Sequence, residues 1–317
     1  MTSYILRPFN PSDEEYAAIV RVYNQANQFA HGSVATWRHW DQHRPPRRLF
    51  RRYVAEQGDN IIGYGFSMLP DTAVTRFHFA IHLSPQWQTD ALIDDFYNHI
   101  IDSCQKHDPI GFTVKIREDE SAKTDWLTRN GFQPVMRYPL SILNIAEFDL
   151  TPYAYLADKM AAQNIEIVPV AELSERDADW RRRIYELDVS VTEDTPSPHP
   201  YTHAPFPLYA QSEFEDPNFM PEAWFVALAG GQYVGMTNLG MANEAAKIMH
   251  TYFTGVRRDY RRRGIALALK VRAIQFAQNL GARLILTNNE ENNPMYLMNL
   301  ALGFQPQPAD VDWERSE

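Results

Sequence analysis

A single cysteine, Cys104, stands among 317 residues, so the chain holds no internal disulfide and no paired-cysteine zinc or redox motif. No stretch approaches the roughly 18 consecutive apolar residues that a membrane span needs. Met1 to Phe9 has no positively charged flank leading into an apolar run, so no export signal is expected. Positive charge is in deficit: 30 Lys and Arg stand against 40 Asp and Glu, a net charge of −10. Such a chain repels nucleic acid and anionic lipid on average, and any anion site must be a local basic island. No Walker sequence, H-E-x-x-H or G-x-S-x-G occurs. The expectation is a soluble, cytoplasmic protein with no nucleic-acid and no membrane partner. Apolar residues, by contrast, make up 44%, enough for a core in each of the two domains that this length suggests.

The chain repeats itself. Tyr53-Val54-Ala55, Gly58 and Gly63 recur as Phe225-Val226-Ala227, Gly230 and Gly235. Gly131-Phe132-Gln133-Pro134 recurs as Gly303-Phe304-Gln305-Pro306. The shift is 172 residues in both cases, which implies two copies of one domain. Periodicity and turn signals give each copy the same order. In the first copy, strands are expected at 4–9, 52–56, 61–68, 76–83 and 111–117, with a last strand after Gly131. Helices follow Ser12, cover 90–107 and end before Gly131. In the second, strands fall at 165–170, 224–229, 233–239, 247–256 and 283–287. Its helices cover 178–189, 263–280 (closed by Gly281) and 294–302, with a tail beyond. The domains are set at 1–155 and 160–317. The second copy carries 11 more residues before its second strand, placed in Thr195 to Pro221 with seven prolines, His199, Tyr201, His203 and Tyr209. Such a loop serves either as a lid over substrate or as a surface connector. The prolines around His199 and His203 preclude a regular helix there, and no metal site is expected.

The sharpest local signal is Val256-Arg257-Arg258-Asp259-Tyr260-Arg261-Arg262-Arg263-Gly264-Ile265-Ala266, which ends a strand and opens a long helix. Five of these residues are arginine, the basic island that an acidic chain needs for a polyphosphate. Gly264 and Ala266 let a ligand approach the turn. The N–H groups of the first helical turn point at it with the helix dipole behind them, and Arg261, Arg262 and Arg263 add charge. Arg261-x-x-Gly264-x-Ala266 in this setting resembles the acetyl-CoA signature of the GCN5-related N-acetyltransferases (GNAT), and the order of elements matches that family. The chain is identified as a tandem member, similar in length to the mycothiol synthase group. The fold implied is α/β: two tandem GNAT-like domains, each a mixed, mostly antiparallel sheet flanked by helices.

The resemblance implies roles. The N–H groups of Arg262, Arg263, Gly264, Ile265 and Ala266 would hold the pyrophosphate of acetyl-CoA, the co-substrate, without a metal. The pantetheine arm would pair with the strand edge at Phe253, Thr254, Gly255 and Val256, where an N–H would polarise the thioester carbonyl. His250 and Tyr252 alternate onto one face of that strand, where family members keep the base or a residue ordering water. His250 is either that base or a structural histidine in a sheet; Tyr252 is a packing or acceptor contact. Asn292 and Asn299 complete the cofactor set. Asn299 stands where the family carries a Tyr that protonates the leaving thiolate, and an amide has no proton to give, so the general acid is unassigned. The 172-residue shift sets Thr89, Leu92 and Asp94 opposite Arg261, Gly264 and Ala266, so the first copy is read as lacking the cradle. The function implied is acetyl transfer from acetyl-CoA to a small-molecule amine by direct attack in a ternary complex. The other reading is a non-catalytic acyl-CoA sensor or an interaction scaffold.

Overall fold

Serine caps set the first helices. In the computed structural model, which describes residues 4–44, 49–69, 75–199 and 202–317, β1 is Ile5–Pro8 and α1 is Asp13–Ala26. The Ser12 hydroxyl accepts from the Glu15 N–H at 3.2 Å, and Ser33 starts α2 (Val34–Gln42) in the same way. Then come β2 (Phe50–Gln57), β3 (Asn60–Met68), β4 (Arg76–Leu83), α3 (Asp90–Gln105), β5 (Gly111–Arg117), α4 (Ser121–Arg129) and β6 (Gln133–Asn144). The second half supplies α5 (Tyr155–Ala161), β7 (Ile165–Pro169), α6 (Val170–Arg176), α7 (Trp180–Thr192), α8 (Phe206–Phe214), β8 (Trp224–Ala229) and β9 (Gln232–Asn243). It ends with β10 (Ile248–Val256), α9 (Ile265–Leu280), β11 (Leu284–Asn288), α10 (Pro294–Ala301) and β12 (Gln305–Ser316).

The copies trade their last strands. One compact unit is Met1–Tyr138 with Pro308–Glu317, the other Pro139–Gln307. In the first, β1-β2-β3-β4-β5 ends on β12, whose Asp310 to Ser316 runs antiparallel to Arg117 to Gly111. In the second, β7-β8-β9-β10-β11 ends on β6, with Asn144 to Leu140 antiparallel to Leu284 to Asn288. Among the described pairings, β4–β5 and β10–β11 are parallel, so each sheet is mixed and mostly antiparallel. The bounds 1–155 and 160–317 follow the repeat in sequence, whereas the compact units divide at Tyr138 and Gln307. The reason is that β6 pairs with β11 and β12 with β5, so the last strand of each repeat completes the sheet of the other.

Each sheet is covered on both faces. In the first unit, Leu92, Phe96 and Ile100 of α3 pack on Phe77, Phe79 and Ile81, while Ile19 and Val22 of α1 pack on Val54 and Tyr64. In the second, Leu269, Ala273 and Ile274 of α9 pack on Phe225, Val234 and Met249, and α7 sets Ile184, Leu187 and Val191 against Trp224 and Met236. The helix expected at 178–189 is α7, and a further short helix, α6, precedes it and ends at Asp177. Two expectations are corrected. The tail beyond 302 is β12. Within 195–221, Pro200 and Tyr201 lie outside the described residues, but 206–214 is helical. There Pro205 and Pro207 occupy the start of α8, where a missing N–H costs no helical bond.

Candidate active site

The strand that carries the site is β10. It pairs with β11 from Ile248 to Thr251, while its pairing with β9 continues to Val256 opposite Gly235. Past Thr251 the two parallel strands part, and the Phe253–Val256 edge faces the gap. A bulge at Tyr252 marks the parting: Thr251 and Phe253 stand opposite the neighbours Leu239 and Asn238. The Tyr252 ring lies over Gly240, where a Cβ would stand 2.5 Å from it. His250 lies on the same face, its ring 4.9 Å from that of Tyr252. His250 Nε2 is 3.1 Å from Asn288 Oδ1, so Nε2 carries the proton, and Nδ1 is buried without a partner. Burial pushes the imidazole below its ordinary pKa; the bond to Asn288 opposes this and the charge on Lys270 adds to it. Near neutral pH the ring is therefore uncharged with the Nδ1 lone pair open.

Residues 257–264 join this strand to α9. After a turn of 3-10 helix at Arg258–Tyr260, Arg262 at φ +64° and Gly264 at φ +89° swing the chain into the helix. No side chain caps α9, so the N–H groups of its first turn remain open to a ligand. A Cβ on Gly264 would stand 3.1 Å from Nζ of Lys159, on α5. That helix is held here by Gln163 Nε2, which donates to the Arg263 carbonyl at 3.2 Å.

The five arginines differ. Arg258 and Arg261 both pair with Asp194, whose carboxyl they hold well below the usual carboxylate range. Arg261 also donates to the Val256 carbonyl at 3.0 Å, so it braces the turn. Arg257 pairs with Asp259 at 2.9 Å, and Arg263 lies over the Tyr260 ring. Arg262 is exposed and, among the described residues, has no hydrogen bond or ion pair. The mobile charge at the turn is therefore that of Arg262 and Lys159. Sequence reading missed Lys159 because it lies far from the motif in the chain.

Behind the strand, α9 buries Lys270, 4% exposed, with Nζ 5.7 Å from the centre of the Phe304 ring. Among the described residues it has no hydrogen bond or ion pair, and burial pushes its ammonium down to about 7. Asn299 is fully buried; its Nδ2 donates to Asn289 Oδ1 at 2.5 Å and its own Oδ1 has no partner. Asn292 is exposed on the turn before α10, with Nδ2 on Glu290 at 2.7 Å.

The first unit keeps the parting and fills it. β4 pairs with β5 from Arg76 to His78 and then separates. There Lys123, on α4, reaches the Ile81 carbonyl at 3.5 Å and Glu120 at 2.5 Å, and Tyr97, Trp126 and Phe132 are fully buried nearby. The connection to α3 is six residues, 84–89, against eight before α9. The N-cap is consequently Thr89 rather than Leu92, and its hydroxyl accepts from the Leu92 N–H at 3.3 Å, occupying a donor that a phosphate would need. His78, the counterpart of His250, is pushed by burial to about 4.

The family model of the acetyltransferase (GNAT) family matches residues 178–304. Among solved structures, a tandem GNAT protein from the clavulanic acid biosynthesis pathway is 16% identical. It gives a TM-score of 0.75 over 99% of this chain and 98% of that one. A GCN5-related N-acetyltransferase from Sphaerobacter thermophilus is 18% identical, with a TM-score of 0.67 over 99% and 95%. FemX is 8% identical, with a TM-score of 0.59 over 98% and 97%. No curated protein sequence matches the chain. The fold over the whole chain is that of tandem GNAT proteins. Among the described residues no helix is long and apolar enough to cross a membrane. None of their His, Cys, Asp and Glu gather into a group of three that would hold a metal ion.

Proposed function

We propose that the chain, whose residues 178–304 match the acetyltransferase (GNAT) family model, acts as a member of that family and that its second unit moves the acetyl group of acetyl-CoA to an amine of a small molecule. The observation that carries this reading is the continuity of β10. The strand that parts from β11 leads directly into the left-handed turn at Arg262 and Gly264, so one segment offers both an acyl slot and a phosphate cradle. Bound acetyl-CoA supplies an activated thioester. Arg262, Lys159 and the first-turn N–H groups of α9 hold its phosphates. The Phe253–Val256 edge lines the pantetheine, and an N–H of this edge polarises the carbonyl. His250 Nδ1 takes the proton that the attacking nitrogen loses, directly or through water. Asn299, held by Asn289, lies buried where a proton donor would be useful and offers none, so the thiolate takes its proton from solvent.

Calorimetric titration with acetyl-CoA is the first test, and one site per chain is the expected stoichiometry; absence of binding overturns the reading. Lys159→Ala is expected to weaken that binding about tenfold, the scale of one charge-assisted contact. An unchanged Kd at low salt removes Lys159 from the cradle. His250→Gln is expected to lower kcat about a hundredfold and leave the acetyl-CoA Kd unchanged. Because its pKa is depressed, the wild-type rate should fall only below the ordinary histidine value of about 6.5. An unaltered kcat in this variant assigns His250 to structure instead. A second reading, acyl-CoA binding without turnover, draws on Asn299, and tight binding with no thiol release across a panel of amines supports it.

A further inference from the structure

The face of the second sheet opposite α9 carries polar groups that the steps above do not use. On α7, Asp188 lies one turn before Val191 and one turn after Ile184, two residues packed on the sheet. On α8, Glu213 lies one turn after Tyr209, whose ring is 5.1 Å from that of Tyr185, one turn before Asp188. The two carboxylates thus hang from facing helices at the same level. Both are half-buried, and among the described residues neither side chain has a hydrogen bond or ion pair. Burial pushes Asp188 up to about 6 and Glu213 up to about 7, and the charges of Asp188 and Asp216 add to the rise at Glu213. Among the described residues no cation lowers either.

A second observation comes from the sheet beneath. Trp224, Asn238 and Phe253 stand side by side across β8, β9 and β10. Phe214 of α8 packs on Trp224 at 5.7 Å, and Phe253 joins the same cluster as Val191 of α7. Asn238 therefore lies under the meeting of the two helices, and its Oδ1 is buried without a partner. The indole Nε1–H of Trp224, 4% exposed, is a donor, also buried and unpartnered in that cluster, and plays no part in holding a cation. A buried acceptor left open costs free energy unless a donor arrives. Asn238 Oδ1 is such an acceptor, and with the two half-buried carboxylates above it, which a nearby positive charge would hold ionised, it matches a donor-rich cation.

The place of this cation relative to the acyl slot is set by Val191. A Cβ on Gly255 would stand 2.8 Å from Val191 Cγ2, and Asp188 is one helical turn, about 5.4 Å, further along α7. We propose that Asp188 and Glu213, above Asn238, anchor a positively charged nitrogen of the acceptor, which is accordingly a small diamine or polyamine. Two nitrogens are required because carboxylates hold an amine in its charged form, which cannot attack. The anchored nitrogen stays an ammonium. The other, neutral, attacks the thioester carbonyl: an N–C bond forms, the C–S bond breaks, the nitrogen gives up one proton and the CoA sulfur gains one. This proposal rests on the acetyltransferase reading for the transfer, but not for the binding of the cation.

The test is calorimetric titration of the full chain with 1,3-diaminopropane, spermidine and propylamine, for wild type and for Asp188→Asn combined with Glu213→Gln. Wild type is expected to bind the two polyamines at least tenfold more tightly than propylamine, and the double variant to lose at least thirtyfold. In turnover with acetyl-CoA the same variant should raise the diamine KM and leave kcat nearly unchanged. The variant neutralises two mutually repelling groups, so it should fold, and its unchanged acetyl-CoA binding is the control. Equal affinity for propylamine and the diamines overturns the proposal, as does a double variant that binds like wild type. If acetyl-CoA fails to bind while spermidine binds through this pair, the acetyltransferase reading fails and the anchor stands.

Discussion

Gly264→Glu should abolish acetyl-CoA binding, a loss of at least a thousandfold, in a chain that still folds. Three effects act together at this position. The residue sits at φ +89°, where a side chain costs about 1–2 kcal/mol. Its Cβ would meet Lys159 Nζ at 3.1 Å, displacing the cation that faces the phosphates. The new carboxylate would then lie at the N-terminus of α9, where it satisfies the open N–H groups that a phosphate otherwise uses. That capping, with an ion pair to Lys159, offsets much of the backbone strain, so stability should change far less than affinity. Gly264→Ala carries the strain without the charge and should lose about tenfold. Calorimetry beside a thermal melt checks both variants. A Gly264→Glu protein that binds within tenfold of wild type would place the phosphates elsewhere.

The elements around that glycine were legible because they depend on local signals. Alternation gave β4 its bounds from Arg76 to Leu83, and Gly281, at φ +75°, closes α9 as expected. Partnership is a different matter. The alternation of β6 is the same whichever strand it pairs with, so nothing local distinguishes pairing with its own repeat from pairing with β11. The constant shift of 172 likewise concealed a connection two residues shorter before α3, which makes Thr89 the cap. At the site, spacing brought His250 and Tyr252 to one face, but Asn288, which bonds His250, and Lys159 and Asp194, which meet Gly264 and the arginines, come from elsewhere in the chain. Asp194 changes the reading of the arginines most: two of the five brace the turn by sharing its carboxylate, and Arg262 is exposed with no hydrogen bond or ion pair among the described residues. A charge count along a motif cannot separate these uses.

Lys270→Met should stabilise the second unit by about 4 kcal/mol near pH 7, raising its Tm by roughly 10 °C. A lysine is a good helix former, so the sequence of α9 gives no warning; the cost arises from the core that Leu269, Ala273 and Ile274 build around it. Its ammonium is pushed to about 7, against about 10.4 in an open chain. Below pH 7 both the folded and unfolded forms are charged, and the full desolvation cost falls on the folded state. Between the two pKa values the folded lysine is neutral while the unfolded one still binds a proton, so the cost shrinks as pH rises. Above about pH 10.4 it vanishes. The gap between wild type and Lys270→Met should therefore be widest at or below pH 7 and close by pH 10, which urea unfolding at the two pH values will measure. Methionine keeps the length and flexibility of the side chain, so packing against Phe304 is retained. The same change removes a positive charge that depresses His250, so the acid limb of the pH–rate profile should move upward. A variant no more stable than wild type at pH 7 would mean that Lys270 finds a partner for its charge, and an unmoved acid limb would uncouple it from His250. Stabilisation with a shifted limb identifies a lysine whose burial lowers stability while it keeps the histidine beside the acyl slot free of its proton.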